Sequence, residues 1–145
     1  DHGICAYDED GHLLGVAGFK TMHGALVGGN FMQLQRVYGW VGASIRILLL
    51  AALEKDTDNE RFVMDGIFVA QEARGKGVGT ALLNATAAEA KKRGYRQVRL
   101  DVVDSNPRAK ALYLHEGFTE VSTRSIGIMR HIFGFSSATT MVRDV

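Results

Sequence analysis

Residues 74–80 read Arg-Gly-Lys-Gly-Val-Gly-Thr, with glycines at Gly75, Gly77 and Gly79 and two cations, Arg74 and Lys76, between and beside them. Glycine lets a backbone come close to a ligand. Successive N–H groups aimed at one point bind an anion, the more so at the start of a helix, where the dipole is positive. Such a loop suits a pyrophosphate. Its spacing excludes two other phosphate loops, since no Lys-Ser or Lys-Thr follows the last glycine and no G-x-G-x-x-G is present. Standing alone, it could equally be a tightly packed strand-to-helix turn. Two further side chains could move protons. Asp65 is the only acid in the apolar run Phe62 to Val69, where a carboxylate is costly unless paired or functional. Tyr113 carries a hydroxyl in a short helical segment, and by itself it could be a core aromatic with that hydroxyl satisfied.

The elements that must position these groups are marked in the sequence. Phe62 to Val69 is nearly continuous in apolar residues, as a strand covered on both faces reads. Val78, Ala81, Leu82, Ala85 and Ala88 then recur at helical spacing, Lys91, Lys92 and Arg93 fill the last turn, and Gly94 follows as a C-terminal glycine. Gln97 to Val103 reads as a second strand. Asn106 as N-cap, Pro107 at the first helical position and Gly117 beyond the end bound a short helix. The first residues read as a hairpin, Gly3 to Tyr7 and Leu13 to Phe19 about an Asp-Gly turn. After Phe118 the reading is a strand to about Thr123, an unusually apolar loop over 124–137 and a last strand, Ala138 to Arg143. The loop suits core packing, the border of an acceptor site or a partner subunit.

Arg-x-x-Gly-x-Gly, at Arg74, Gly77 and Gly79, resembles the acetyl-coenzyme A signature of the Gcn5-related N-acetyltransferase (GNAT) family. Asn106, Ala109, Tyr113, Gly117 and Phe118 resemble the second signature of that family, N-x-x-A-x-x-x-Y followed by Gly-Phe, in the right order and at a suitable distance. The resemblance is close over about residues 60–121. It implies an α/β fold, a mixed twisted sheet with helices on both faces, and acetyl-coenzyme A as co-substrate without a metal. It further implies that Ile67 and Val69 meet the thioester and the pantetheine arm through their backbones, that residues 74–80, including Val78 and Thr80, hold the pyrophosphate, and that Asn106 and Ala109 border the cofactor. Tyr113 then protonates the departing thiolate. Asp65 is the expected base, placed by period-two alternation on the face of Ile67 and Val69, with Asp101 on the next strand as runner-up. The implied reaction is direct transfer of acetyl to a primary amine in a ternary complex. A non-catalytic coenzyme A-binding module is the alternative.

Composition is that of one ordinary globular domain: 145 residues, 46% hydrophobic, formal net charge +1. Nothing in it points to a nucleic acid or another polyanion as partner. A single cysteine, Cys5, excludes an internal disulfide and reads as a small buried residue, and with no signal peptide the expectation is the cytoplasm. The longest apolar stretch, Ile47 to Leu53, is far short of the ~20 residues that span a bilayer. The five histidines show no metal-ligand spacing.

Two features depart from the family pattern. The family places a first strand and a pair of helices before the hairpin, and this sequence starts at Asp1 without them. Between hairpin and Phe62 lie about 40 residues where a short turn is usual. A helical insertion is expected at about 28–56, with an apolar stripe over 31–53 too broad for one packing face. It suits intramolecular packing in place of the missing helices, a homodimer interface or a wall of the acceptor pocket.

Overall fold

The computed structural model describes residues 2–21, 24–25 and 61–145. The expected insertion at 28–56 and the proposed dimer helix at 31–53 lie outside the described residues.

Seven strands form one sheet in the order β1-β2-β4-β5-β7-β6, with the short β3 paired to β2. They are β1 (Gly3–Tyr7), β2 (Leu13–Thr21), β3 (Gly24–Ala25), β4 (Phe62–Val69), β5 (Gln97–Val103), β6 (Thr119–Ser125) and β7 (Ser137–Asp144). Among the described residues only β4 and β5 pair in parallel, and the other pairings are antiparallel. The parallel pair needs a long crossover, and helix α1 (Val78–Lys92) supplies it. Helix α2 (Pro107–His115) follows β5, and the expected apolar loop holds a 3-10 turn at Gly127–Met129 and a four-residue helix, α3 (Arg130–Phe133). That local order was not legible from its apolar residues. In it Ile128 and Ile132 remain exposed.

The core lies between α1, α2 and one face of the sheet. Phe19 and Phe62 pack with ring centroids 4.8 Å apart and planes tilted by 44°, and join Met64, Leu83, Leu100 and Met141, all almost fully buried. Burial of each such side chain stabilises the fold by about 1.5–3 kcal/mol. Alternation along β5 sends Val98, Leu100 and Val102 to this face, leaving Arg99 and Asp101 for the other. Gly15 permits the close approach of α1: a Cβ there would lie 2.7 Å from the Phe68 carbonyl oxygen and 3.0 Å from Leu82.

Cys5 is exposed, contrary to the expectation of a buried residue. β1 is the edge strand, and alternation turns Cys5 and Tyr7 outward while Ile4 packs on the core. The adjoining turn brings ligand atoms of Asp8, Asp10 and His12 within 4.8 Å of one another, which histidine spacing alone did not suggest. Asp8 already uses its carboxylate there, accepting from the amides of Asp10 and His12 at 3.0 and 2.8 Å and pairing with the His12 ring.

Candidate active site

β4 and β5 pair at only two positions, Phe62 with Val98 and Val63 with Arg99, and then part. Beyond that point β4 keeps its other partner, β2. Ala70 N–H donates to the Leu14 carbonyl at 2.8 Å, so Gly15 and Val69 form a non-hydrogen-bonded pair, and two residues back Ala17 and Ile67 form another. The N–H and C=O groups of Ile67 and Val69 therefore point away from β2, into the gap. A cleft of about 850 Å³ runs through this gap, from the glycine loop past Ile67 and Val69 to Asp65 on one side and Tyr113 on the other.

At the loop end, Gly75 (φ 74°) and Gly77 (φ 81°) take left-handed conformations, and a Cβ on either would meet open space. Gly77 caps α1 with no side-chain cap, the first turn carries no acid, and the first intrahelical bond is Ala81 N–H to the Gly77 carbonyl. The amides of Val78, Gly79 and Thr80 thus precede the helical ladder. An anion of pyrophosphate size fits this arrangement. Gly79 has a different reason to be glycine, because a Cβ there would come within 2.9 Å of Leu112 on α2. The Thr80 hydroxyl donates to Glu116 Oε1 at 2.8 Å, which ties the start of α1 to the end of α2. That bond and one from His115 hold Glu116 below the usual carboxylate range. Arg74 lies across the loop, its Nε donating to the Val69 carbonyl at 3.3 Å, while Lys76 is exposed.

Asn106 caps α2 as expected, its Oδ1 accepting from Ala109 N–H at 3.1 Å. Both residues line the cleft, as do Arg74, Gly75 and the loop from Gly77 to Thr80; Lys76 does not. Tyr113 is buried, its ring 5.8 Å from that of Phe118, and burial pushes the phenol up to about 12.

The expected placement of Asp65 on the face of Ile67 and Val69 does not hold. β2 residues Gly18 and Phe19 are consecutive, yet their partners on β4 are Gly66 and Met64, so Asp65 is the extra residue of a β-bulge. Ile67 and Val69 stay with Ala17 and Gly15 on the α1 side. The Asp65 carboxylate lies 3.9 Å from Lys20 Nζ, and Lys20 leaves β2 on the face opposite to Phe19. Asp65 is 5% exposed and its Oδ2 is buried with no hydrogen-bond partner. Burial raises its pKa, with Lys20 and then His2 opposing the shift. Asp101, the runner-up, is committed to structure: Oδ1 accepts from the Thr140 hydroxyl and Oδ2 lies 3.8 Å from Arg99 Nη2. The bulge, which no residue type announces, also hid the company Asp65 keeps. Lys20, Arg99 and Arg124 border the same cleft and were not anticipated.

The model of the acetyltransferase (GNAT) family matches residues 1–118. The chain belongs to that family. An uncharacterised N-acetyltransferase of Methanocaldococcus jannaschii is 48% identical over 54 residues, 37% of this chain and 24% of that protein. A GCN5-related N-acetyltransferase from Kribbella flavida has the same fold, with TM-score 0.65 and 22% identity over 99% of this chain and 67% of that one. So does a GNAT superfamily phosphinothricin acetyltransferase from Sinorhizobium meliloti, solved in complex with acetyl-coenzyme A, with TM-score 0.63 and 21% identity over 99% and 60% of the two chains. This GNAT chain thus spans about a quarter of its curated relative and about two thirds of these solved ones. Among the described residues no helix is long and apolar enough to cross a membrane.

Proposed function

We propose that this GNAT chain binds acetyl-coenzyme A along the parting of β4 and β5 and transfers its acetyl group to a primary amine in a ternary complex. The observation that carries the reading is the two-position pairing of β4 with β5, which leaves the backbones of Ile67 and Val69 facing a cleft that begins at the glycine loop. Family membership and the acetyl-coenzyme A bound to the phosphinothricin acetyltransferase of like fold support it.

On this reading the amides of Val78, Gly79 and Thr80 receive the pyrophosphate, with Arg74 and Lys76 offsetting its charge. Ile67 N–H faces the thioester oxygen, where negative charge develops, and Val69 pairs with the pantetheine arm once Arg74 releases its carbonyl. Asn106 and Ala109 wall the same channel. The bulge at Asp65 suits this chemistry, since it sets the two proton-handling groups on opposite faces of the sheet. Asp65 takes the proton of an amine arriving from the face away from α1; nitrogen bonds to the carbonyl carbon, and the carbon–sulfur bond breaks toward Tyr113. At about 12 the phenol is protonated near neutral pH and offers a hydrogen bond to sulfur as charge builds. Outright transfer to a thiolate of ordinary pKa ~8.5 is uphill at first, so the proton moves late.

The test is thiol release from acetyl-coenzyme A over a panel of small amines, amino acids and peptides, with Gly77→Asp as control. Amine-dependent release that the control loses is expected. Binding of coenzyme A without transfer to any amine would leave a coenzyme A-binding module as the better account.

A further inference from the structure

The cleft already contains a primary amine. Lys20 on β2 turns to the face of the sheet away from α1, because it follows the core residue Phe19, and the bulge turns Asp65 to the same face. Nζ of Lys20 lies 3.9 Å from Oδ1 of Asp65. Both side chains line the cleft that also holds Ile67, Val69 and Tyr113.

The pair is a loose one. Its distance exceeds the ~2.7–2.9 Å of a charge-assisted hydrogen bond, and Oδ2 of Asp65 is buried with no hydrogen-bond partner among the described residues. A carboxylate so buried takes up a proton more readily than an exposed one. The Lys20 side chain, 25% exposed, has a flexible stem on which its nitrogen can swing along the cleft. Ile67, whose N–H faces the thioester on the reading above, is two residues beyond Asp65, or ~7 Å along the strand. An amine, its proton acceptor and the bond to be attacked thus share one short stretch of the cleft.

Resting on the acetyltransferase reading above, we propose that Lys20 is itself an acceptor: with acetyl-coenzyme A bound and no other amine in the cleft, the chain acetylates its own Lys20 at Nζ. The Lys20 ammonium gives one proton to Asp65, and the freed lone pair forms the nitrogen–carbon bond. The carbon–sulfur bond breaks and sulfur leaves with the proton of Tyr113. The second proton lost by nitrogen restores Tyr113 through solvent, and Asp65 returns its own to bulk water. The product is a neutral amide beside Asp65, so the activity ends after one event per chain.

The experiment incubates the full chain with acetyl-coenzyme A and no amine, and follows acetylation peptide by peptide by mass spectrometry, beside the thermal shift with the same cofactor. An acetyl group on Lys20 is expected, arriving on the order of 100-fold faster than on the exposed Lys91 and Lys92, as the help of a positioned base predicts. Its rate per chain should not change on dilution. Lys20→Arg should keep the cation and abolish the modification, while Asp65→Asn should slow it on the order of 100-fold with the thermal shift kept. Acetylation of Lys20 at the pace of Lys91 and Lys92, or at full pace in Asp65→Asn, is background chemistry and overturns the proposal, as does a rate per chain that rises with chain concentration. An unmodified Lys20 in a chain that shows the thermal shift overturns it while the cofactor site stands; absence of the thermal shift sinks the underlying reading as well.

Discussion

Asp65 is in conflict with the stability of the strand that carries it, and that conflict is measurable. Its folded pKa is raised above the unfolded value, so the ionised form burdens the native state. The sign follows: the burden is absent below the unfolded pKa, grows as pH rises through the raised folded value, and is constant above it. Asp65→Asn should therefore raise the melting temperature at neutral pH, with a gain that fades as pH falls into the carboxylate range, and yet lower turnover on the order of 100-fold. A variant that melts earlier at pH 7 would show that Lys20 needs its partner more than the strand resists the charge. Tyr113→Phe keeps the ring against Phe118 and removes only the hydroxyl. Its expected effect is a fall in turnover of about 100-fold or more with melting temperature and cofactor affinity unchanged. An unaltered rate would make Tyr113 a core residue only. Both residues stand out in the sequence as candidates because a lone acid in an apolar strand and a tyrosine in a capped helix are local signals. The face of Asp65 was not, since alternation is counted from residue to residue and a bulge depends on the neighbouring strand.

Among the elements, Gly77 and Gly79 of the loop and Gly15 of β2 look alike in the sequence and differ in the fold. Gly77 holds a left-handed φ of 81° with open space around it, so Gly77→Ala should cost about 1–2 kcal/mol through backbone strain alone. Gly79 is helical, and the atom a methyl would meet is the tip of the flexible Leu112 side chain. Gly79→Ala gains up to ~1 kcal/mol of helix propensity against that contact, so denaturant melts should show little change. Gly15→Ala is the severe case, because its methyl would meet the Phe68 carbonyl, a backbone atom that cannot swing aside. We expect a loss of about 1–3 kcal/mol as α1 is pushed off β2. Equal effects at all three positions would contradict these assignments. Among the described residues most strand and helix boundaries were legible, β4 and β5 to the residue, because caps, glycines and continuous apolar runs mark them. The short helix in 130–133 was not, since four residues are too few for a period to show.

For the molecule as a whole, acetyl-coenzyme A that binds only the folded chain should stabilise it by about 2.7 kcal/mol at a hundred times its dissociation constant, visible as a rise in melting temperature that Gly77→Asp abolishes. The two-position pairing of β4 with β5 gives that stabilisation a location. Seen along the backbone, the sheet is two flanges, β1-β2-β4 and β5-β7-β6, stitched at Phe62 and Val63 and otherwise clasped by side chains such as Phe62 and Leu100 in the common core. A seam so short opens more easily than either flange. The amide proton of Arg99, which faces β4, should exchange with deuterium sooner than those of Val98 and Leu100 in the β5–β7 ladder, and a ligand lying in the gap should slow it by fastening one flange to the other. The cofactor would then be a structural rivet as well as a reactant, and each release of product would return the sheet to its looser, two-part state.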